Sequence, residues 1–156
     1  MEFLYLPSPV GELTLTQEGD CLTGLYFGRL PCQGQEGPTP LLEETTRQLS
    51  EYFAGNRREF TLPLLLKGTP FQRRVWDALQ TIPYGETRSY GELAEAIGAP
   101  KSCRAVGGAN HHNPISIIVP CHRVVGASGS LTGYGGGLEN KRFLLDLERR
   151  VLEGIG

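Results

Sequence analysis

The sequence predicts an α/β domain followed by a mainly helical domain with a helix-turn-helix, and three observations support this prediction. Residues 1–66 contain short apolar runs separated by turn residues, which are typical of strands. Residues 67–156 contain capping boxes followed by apolar residues at helical spacing. The charge also changes at this boundary, because the first part carries 4 basic and 9 acidic residues and the second 11 and 8.

Three strands and one helix are predicted in residues 1–66. The strands are Phe3–Leu6, Leu13–Gln17 and Leu22–Phe27. A loop rich in Pro and Gly follows at 31–40, and the predicted helix is Leu41–Ala54, with 58–66 extended after it. This part shows no catalytic constellation. Its cysteines, Cys21 and Cys32, lack the nearby His or Cys pair of a zinc site.

Two capping boxes mark helix starts in the second part, at Thr69–Gln72 and at Ser89–Glu92. Pro100 is then expected to open a third helix that runs through Lys101–Asn110. The helix that starts at Ser89 and the helix after Pro100 are short and are joined by Gly98-Ala99, which predicts a helix-turn-helix. This motif favours DNA binding but is not specific by itself.

Composition restricts the class of protein. No run approaches the roughly 20 apolar residues of a membrane span, so no membrane partner is expected. The four cysteines contain no C-x-x-C pair, so neither a disulfide framework nor a metal site is predicted, and a reducing cytoplasm is the expected location. No Asp or Glu occurs between Glu95 and Glu139, which favours a polyanionic partner. Chance within a glycine-rich region is the alternative explanation.

The strongest chemical signal is a nucleophile beside a base in an apolar stretch. Ile117 to Pro120 predict a buried segment that ends at the proline and presents Cys121 at a turn. An unpaired cysteine usually only fills space in a core. Here the adjacent His122 and Arg123 favour a lowered thiol pKa, and therefore a reactive thiolate.

The final helix, Leu138–Leu152, contains a carboxylate on its apolar face. Glu148 has apolar residues at i−4, i−3, i+3 and i+4, so its side chain is predicted to turn inward, where it needs a partner. His122 and Arg123 are the candidates, and we expect His122, whose tautomer a carboxylate would fix. The alternative is a glutamate that reaches the edge of the apolar stripe.

Together these motifs resemble the O6-alkylguanine-DNA alkyltransferases. The resemblance rests on Pro120–Val124, on Asn113-Pro114 and on Arg104–Gly108, and it covers residues 69–152. It implies a ribonuclease H-like fold for the first domain and a winged-helix-like second domain. It also implies irreversible, stoichiometric transfer of an alkyl group from O6 of guanine, with O4 of thymine as a second candidate position. The protein would act as a monomer, without a cofactor, from the minor groove of double-stranded DNA.

The resemblance implies a role for each catalytic residue. Cys121 would attack the alkyl carbon after its proton passes to His122 through a water, while Glu148 orients the imidazole. Tyr90 would donate to N3 of the guanine and assist its departure, although its spacing also fits a core tyrosine. Asn113 would brace the segment that carries the cysteine.

The DNA contacts are assigned to the third helix and its surroundings. By resemblance, Arg104 enters the duplex and fills the space of an extruded nucleotide, where a flat guanidinium can stack. A solvated arginine is the ordinary alternative. Gly107-Gly108 leave a nearly bare helix face, which suits either tight packing or close approach to a narrow groove. The remaining predicted DNA contacts are Lys101, Ala105 and Arg123.

The guanine pocket is assigned to residues around a glycine-rich loop. By resemblance, Tyr134 and the N–H of Gly135 line the pocket, the carbonyls of Cys121 and Val124 accept from the exocyclic amine, and Lys141 approaches it. A flexible wing and a surface lysine are the simpler interpretations. Ser116 and Asn110 replace Pro and Met of some relatives, which leaves the width of the pocket open.

Two other functions compete with alkyl transfer. A non-catalytic sensor of alkylated DNA would recruit other repair factors, but relatives of that kind lack the cysteine that this chain has at position 121. A plain helix-turn-helix repressor would leave the Pro120–His122 stretch and an inward-facing Glu148 unexplained.

Overall fold

The computed structural model describes residues 1–131, 134 and 136–154, and backbone contacts divide the chain into two units, Met1–Leu66 and Lys67–Gly156. Each unit has its own buried apolar core. Within the described ranges, no helix has the length and apolar character needed to cross a membrane.

The first unit is a four-stranded sheet with one helix. Its elements are β1 Glu2–Leu6, β2 Leu13–Glu18, β3 Cys21–Phe27, β4 Gln35–Glu36 and α1 Pro40–Phe53. The strand order is β3-β2-β1-β4, in which only the β1–β4 pair of this described sheet is parallel. Leu42, Leu49 and Tyr52 of α1 are fully buried, so the apolar face of the helix completes the core of this unit.

Two details of the first unit differ from the prediction. The short strand β4 lies inside the predicted loop 31–40, and Gln35 N donates to Met1 O at 3.0 Å beside it. The predicted extended segment 58–66 forms a single bridge in the described structure, between Leu64 and Leu22.

The second unit is mainly helical. Its elements are α2 Pro70–Leu79, β5 Arg88–Ser89, α3 Tyr90–Ala96, α4 Cys103–His111, β6 Val124–Val125 and α5 Leu138–Leu152. The two short strands pair in parallel, and a 3₁₀ turn, Cys121–Arg123, leads into β6. The buried Trp76 indole donates to Ala109 O at 2.8 Å, which fixes α4 against α2.

Both predicted capping boxes are present. Thr69 Oγ1 accepts from Gln72 N at 3.1 Å, and the Gln72 side chain accepts from Thr69 N at 3.0 Å. Ser89 and Glu92 make the same pair of bonds at 3.0 and 2.8 Å. These bonds satisfy N–H groups that each helix start would otherwise leave unpaired.

The third helix begins later than predicted. Pro100 does not open it, because Ser102 N donates to Ala99 O at 2.9 Å and closes a turn around the proline. Helix α4 therefore begins at Cys103, with Ser102 as its N-cap, and Lys101 lies in the turn rather than on the helix.

Candidate active site

The segment before Cys121 is buried but irregular. Ile117 has φ of 70°, a left-handed conformation that a β-branched residue rarely adopts. Asn113 holds this segment: its Oδ1 accepts from Ile115 N at 3.0 Å and its Nδ2 donates to Val119 O at 2.8 Å. The brace predicted for Asn113 is therefore confirmed as a contact. It stabilises a backbone conformation that costs free energy by itself.

Cys121 begins the 3₁₀ turn and is 4% exposed. Cys121 N donates to Val119 O at 2.8 Å and Arg123 N donates to Pro120 O at 3.0 Å, so both flanks of the cysteine are fixed by backbone bonds. As predicted, Pro120 ends the buried apolar segment and a turn follows. The turn directs the side chains of His122 and Arg123 to one carboxylate, that of Glu148.

Glu148 of α5 is fully buried and contacts both of its predicted candidates. His122 Nε2 lies 2.7 Å from Oε2, and Arg123 donates through Nε to Oε1 at 2.8 Å and through its second terminal nitrogen to Oε2 at 3.0 Å. Arg123 also donates to Ile82 O at 2.7 Å. The predicted inward orientation of Glu148 is confirmed. Its carboxylate binds Arg123 as well as the expected His122.

The hydrogen bond to Glu148 determines the tautomer of His122. Glu148 Oε2 can only accept while the carboxylate is ionised, so His122 Nε2 carries the proton and donates. Burial lowers the pKa of His122, against the opposing effect of Glu148, which favours a neutral ring. Nδ1 is then an unprotonated acceptor; it is buried and has no hydrogen-bond partner among the described residues. His122 is thus poised to accept a proton at Nδ1.

The thiol differs from the sequence-based expectation. Burial raises the pKa of Cys121 above its ordinary value, although a lowered value was predicted. The cation that motivated the prediction, Arg123, is bound to Glu148 instead. Hydrogen bonds of Asn113, Tyr134 and Ser116 and the charge of Lys141 oppose this rise in the pKa. The resting group is therefore a thiol, which needs a base at the moment of reaction.

Lys141 of α5 is fully buried rather than on the surface. Burial lowers its pKa, and the nearby Cys121 opposes this shift. Its Nζ lies 5.9 Å from the centre of the half-buried Tyr134 ring, and both side chains affect the pKa of the thiol. The structure therefore brings Lys141 and Tyr134 to the cysteine. Val124 is fully buried in β6, and Gly135 lies outside the described residues.

The predicted DNA-contacting residues form an exposed face, with one exception. Lys101, Arg104, Ala105 and Gly108 are exposed on α4 or just before it. A Cβ at Gly107 would lie 3.9 Å from the Tyr90 ring, whereas a Cβ at Gly108 would meet nothing within 4 Å. One glycine therefore packs beside the tyrosine, and the other leaves the outer face open.

Arg123 is the exception. Its side chain is 9% exposed and its three nitrogens are occupied by Glu148 and Ile82. The structure thus separates Arg123 from the DNA-contacting face to which the sequence had assigned it, because the buried carboxylate requires a cation.

One further residue of the site, Gly85, was missed, and another, Asn110, was considered only for the width of the pocket. Gly85 N donates to Glu148 Oε1 at 3.1 Å, and Gly85 has φ of 79° and no room for a Cβ against Leu152. Its position after Pro83 in the sequence indicated only a helix stop. Asn110 is buried and donates through Nδ2 to Cys121 O at 3.4 Å. Its spacing of i+4 from the buried Val106 was the available signal. The described residues contain no group of three or more potential metal ligands.

Acid is expected to destabilise the protein below neutral pH. The pKa of His122 is lowered by folding, so its contribution to stability is fully present above its ordinary pKa of about 6.5 and is lost as the pH falls from that value through the lower pKa of the folded state. Glu148 acts in the same direction at lower pH: burial raises its pKa, but the charges and hydrogen bonds of His122 and Arg123 hold it well below its usual range. We expect the free energy of unfolding in urea to fall between pH 7.5 and 5.5, by no more than about 1.4 kcal/mol, which is the most that one such group can contribute over this range.

This pH dependence has a matched control. His111 is exposed, so a His111→Asn variant should keep the fall in stability. A His122→Asn variant should lose most of it, and an unchanged pH dependence in that variant would contradict the assignment to His122.

Comparison with known proteins agrees with these features along the whole chain. Residues 1–66 match the family described as 6-O-methylguanine DNA methyltransferase, ribonuclease-like domain, and residues 70–150 match its DNA binding domain. A methylated-DNA--protein-cysteine methyltransferase of Mycolicibacterium paratuberculosis is 57% identical, with 96% of this chain and 93% of the relative covered. The constitutive enzyme of that name from Bacillus subtilis is 50% identical, with 91% and 92% covered.

The fold is also similar to solved structures. Mycobacterium tuberculosis OGT in complex with DNA superimposes with a TM-score of 0.90 at 55% identity, covering 97% of this chain and 94% of that one. An O6-methylguanine-DNA methyltransferase from the archaeon Pyrococcus kodakaraensis gives a TM-score of 0.57 at 25% identity, with 94% and 98% covered.

Proposed function

The chain belongs to the 6-O-methylguanine DNA methyltransferase family, and we propose that Cys121 is the residue that accepts the alkyl group in this member. The protein repairs DNA by moving the alkyl group of a damaged base onto its own cysteine. One observation carries the assignment to Cys121: it is buried and is followed directly in the chain by His122, whose buried imidazole Glu148 orients. The other cysteines have no such neighbour among the contacts described.

The alkyl transfer needs only the side chains of the site, one water and the damaged base. The Cys121 proton passes to His122 Nδ1, through a water, and the sulfur attacks the alkyl carbon in line with its bond to O6. The new S–C bond forms as the C–O6 bond breaks, and the bonding electrons stay with the guanine. Tyr90 donates to N3 of the departing base, which finally regains one proton. The thioether has no route back to the thiol, so each molecule acts once.

The two units of the chain have different roles. Residues 67–156 bind DNA and transfer the alkyl group, and residues 1–66 form a separate ribonuclease-like unit. Lys101, in the turn before α4, and Ala105 and Gly107 of α4 contact the minor groove, and the protein acts as a monomer. Four free cysteines support a cytoplasmic location.

Intact mass after mixing with a duplex that contains O6-methylguanine tests this function. We expect a gain of about 14 Da, the mass of one CH₂ group, on Cys121 and on no other residue, reaching one group per molecule. Binding of the methylated duplex without a mass change would instead support a sensor. Equal binding of methylated and unmethylated duplexes, again without a mass change, would support a repressor.

Arg104 is expected to matter for double-stranded substrate only. It is exposed on α4, and the proposal places its guanidinium in the space that the extruded nucleotide leaves. An Arg104→Ala variant should react about 10–100-fold more slowly with the methylated duplex, because extrusion costs a few kcal/mol without that filling. Arg104→Lys should be nearly as slow, since lysine keeps the charge but cannot stack.

The rate with free O6-methylguanine serves as the control for Arg104. Both variants should match the unmodified protein with this substrate, because no duplex is opened. A loss that is equal with free base and duplex would contradict a role in extrusion.

A further inference from the structure

Asn110 carries an unpaired buried acceptor next to the reactive cysteine. The residue is 2% exposed, and its Nδ2 donates to the carbonyl oxygen of Cys121 at 3.4 Å. Its Oδ1 is inaccessible to solvent and has no hydrogen-bond partner among the described residues. A buried acceptor without a donor carries an uncompensated desolvation penalty, so it calls for an explanation.

Asn110 lies on the buried face of α4, with Val106 and Ala109. Asn110 lies one residue after Ala109, whose carbonyl is held by the buried Trp76 indole at 2.8 Å. Nδ2 faces the Cys121 carbonyl, so Oδ1 is turned away from that carbonyl. A donor for Oδ1 can come from a ligand that sits beside Cys121, which is where the proposed function places the damaged base.

The chemistry of the bases restricts that donor. Alkylation of guanine at O6 removes the proton from N1, so the 2-amino group is the one N–H donor left on the base. Alkylation of thymine at O4 removes the proton from N3 and leaves no N–H donor at all. A buried acceptor in the pocket therefore distinguishes the two lesions, because it is satisfied by the guanine lesion and left unpaired by the thymine lesion.

We propose that Asn110 is a specificity-determining residue whose Oδ1 accepts a hydrogen bond from the 2-amino group of O6-alkylguanine. The inference rests on the proposed function. The amine has two N–H bonds, so Asn110 Oδ1 takes one and a backbone carbonyl the other; Asn110 thus replaces one of the two carbonyls, of Cys121 and Val124, that the resemblance assigned to this amine. The preference for alkylated guanine over alkylated thymine then comes in part from a side chain.

The test is a double-mutant cycle in which the Asn110 side chain and the 2-amino group of the base are removed separately and together. Rates of Cys121 methylation are measured for the full chain with duplexes that carry O6-methylguanine, O6-methylhypoxanthine (which lacks the 2-amino group) or O4-methylthymine. The variant is Asn110→Leu, which has a similar size and no polar atoms. The matched control is Asn56→Leu, the same change at an exposed position of the first unit.

The ratio of rates decides the outcome. Removing the amino group should slow the unmodified protein and Asn56→Leu about tenfold more than it slows Asn110→Leu. The preference for O6-methylguanine over O4-methylthymine should fall by a similar factor in Asn110→Leu. If removal of the amino group slows methylation of Asn110→Leu and of the unmodified protein by the same factor, within about twofold, Asn110 does not bind the amino group.

Failure of the proposed function would look different. If no duplex adds mass to Cys121 of the unmodified protein, the alkyl transfer itself is wrong. If Asn110→Leu does not fold, Asn110→Met replaces it, since methionine also lacks an acceptor of comparable strength. Its ratio of rates is judged by the same criterion.

Discussion

Replacement of Cys121 by serine is expected to abolish alkyl transfer and to leave binding of the methylated duplex unchanged. Serine fills nearly the same space at this buried position. Its hydroxyl is a far weaker nucleophile than a thiol, so the rate should fall on the order of 10³-fold or more. Intact mass reports the transfer, and fluorescence anisotropy of a labelled duplex reports the binding.

The other cysteines supply the control for this result. Cys32 lies in the first unit and its thiol donates only to Leu30 O at 3.5 Å among the described contacts. A Cys32→Ser variant should therefore react at the normal rate and to the same extent. A mass gain that persists in Cys121→Ser and disappears in Cys32→Ser would overturn the choice of nucleophile.

The inward position of Glu148 could be predicted because helical periodicity is a local property. Four apolar neighbours at i±3 and i±4 put the carboxylate on the buried stripe, and the structure places it there with no exposed surface. The need for a buried partner then pointed to the two basic residues after Cys121. Simple spacing rules were sufficient for this contact.

The state of the thiol could not be predicted in the same way. Nearness in sequence suggested that Arg123 acts on Cys121, but in the 3₁₀ turn the Arg123 side chain binds elsewhere. Arg123 therefore reaches Glu148, and burial dominates the pKa of the thiol. Which neighbour a side chain meets across the fold depends on tertiary packing, which no local pattern encodes.

Long-range contacts explain the remaining differences. Residue type alone makes Lys141 an ordinary surface lysine, and only the resemblance assigned it to the pocket; its place on α5 one turn after the glycine-rich loop buries it near Cys121, in agreement with the resemblance. Strand β4 exists because Gln35 and Glu36 meet β1 across the first unit. Pro100 is a local exception: it fits a helix start by residue type, but the turn that Ser102 N closes with Ala99 O delays the helix to Cys103.

Replacement of Glu148 by alanine should cost both stability and rate. The change leaves the Arg123 guanidinium buried without its carboxylate, and breaking a buried pair in this way costs about 3–5 kcal/mol. It also removes the acceptor that fixes the His122 tautomer, so transfer should slow on the order of 10²–10⁴-fold. Urea unfolding measures the first effect, and single-turnover methylation measures the second.

Asp146 on the same helix gives the matched control. Its side chain is 51% exposed and pairs with Arg149 at 3.6 Å on the surface. Removal of this carboxylate by Asp146→Ala should change stability by no more than about 0.5 kcal/mol, with an unchanged rate of transfer.

A double variant separates the two roles of the buried carboxylate. In Glu148→Leu with Arg123→Met, both buried charges are gone and apolar groups fill the space, so much of the lost stability should return. The rate should stay low, because His122 Nε2 still lacks its acceptor and the proton can move to Nδ1, the atom that must receive it from Cys121. Recovery of the rate together with stability would mean that Glu148 only holds the fold. A slow but stable protein would make Glu148 a positioning residue for the imidazole, and Arg123 the cation that lets a charged carboxylate remain buried beside it.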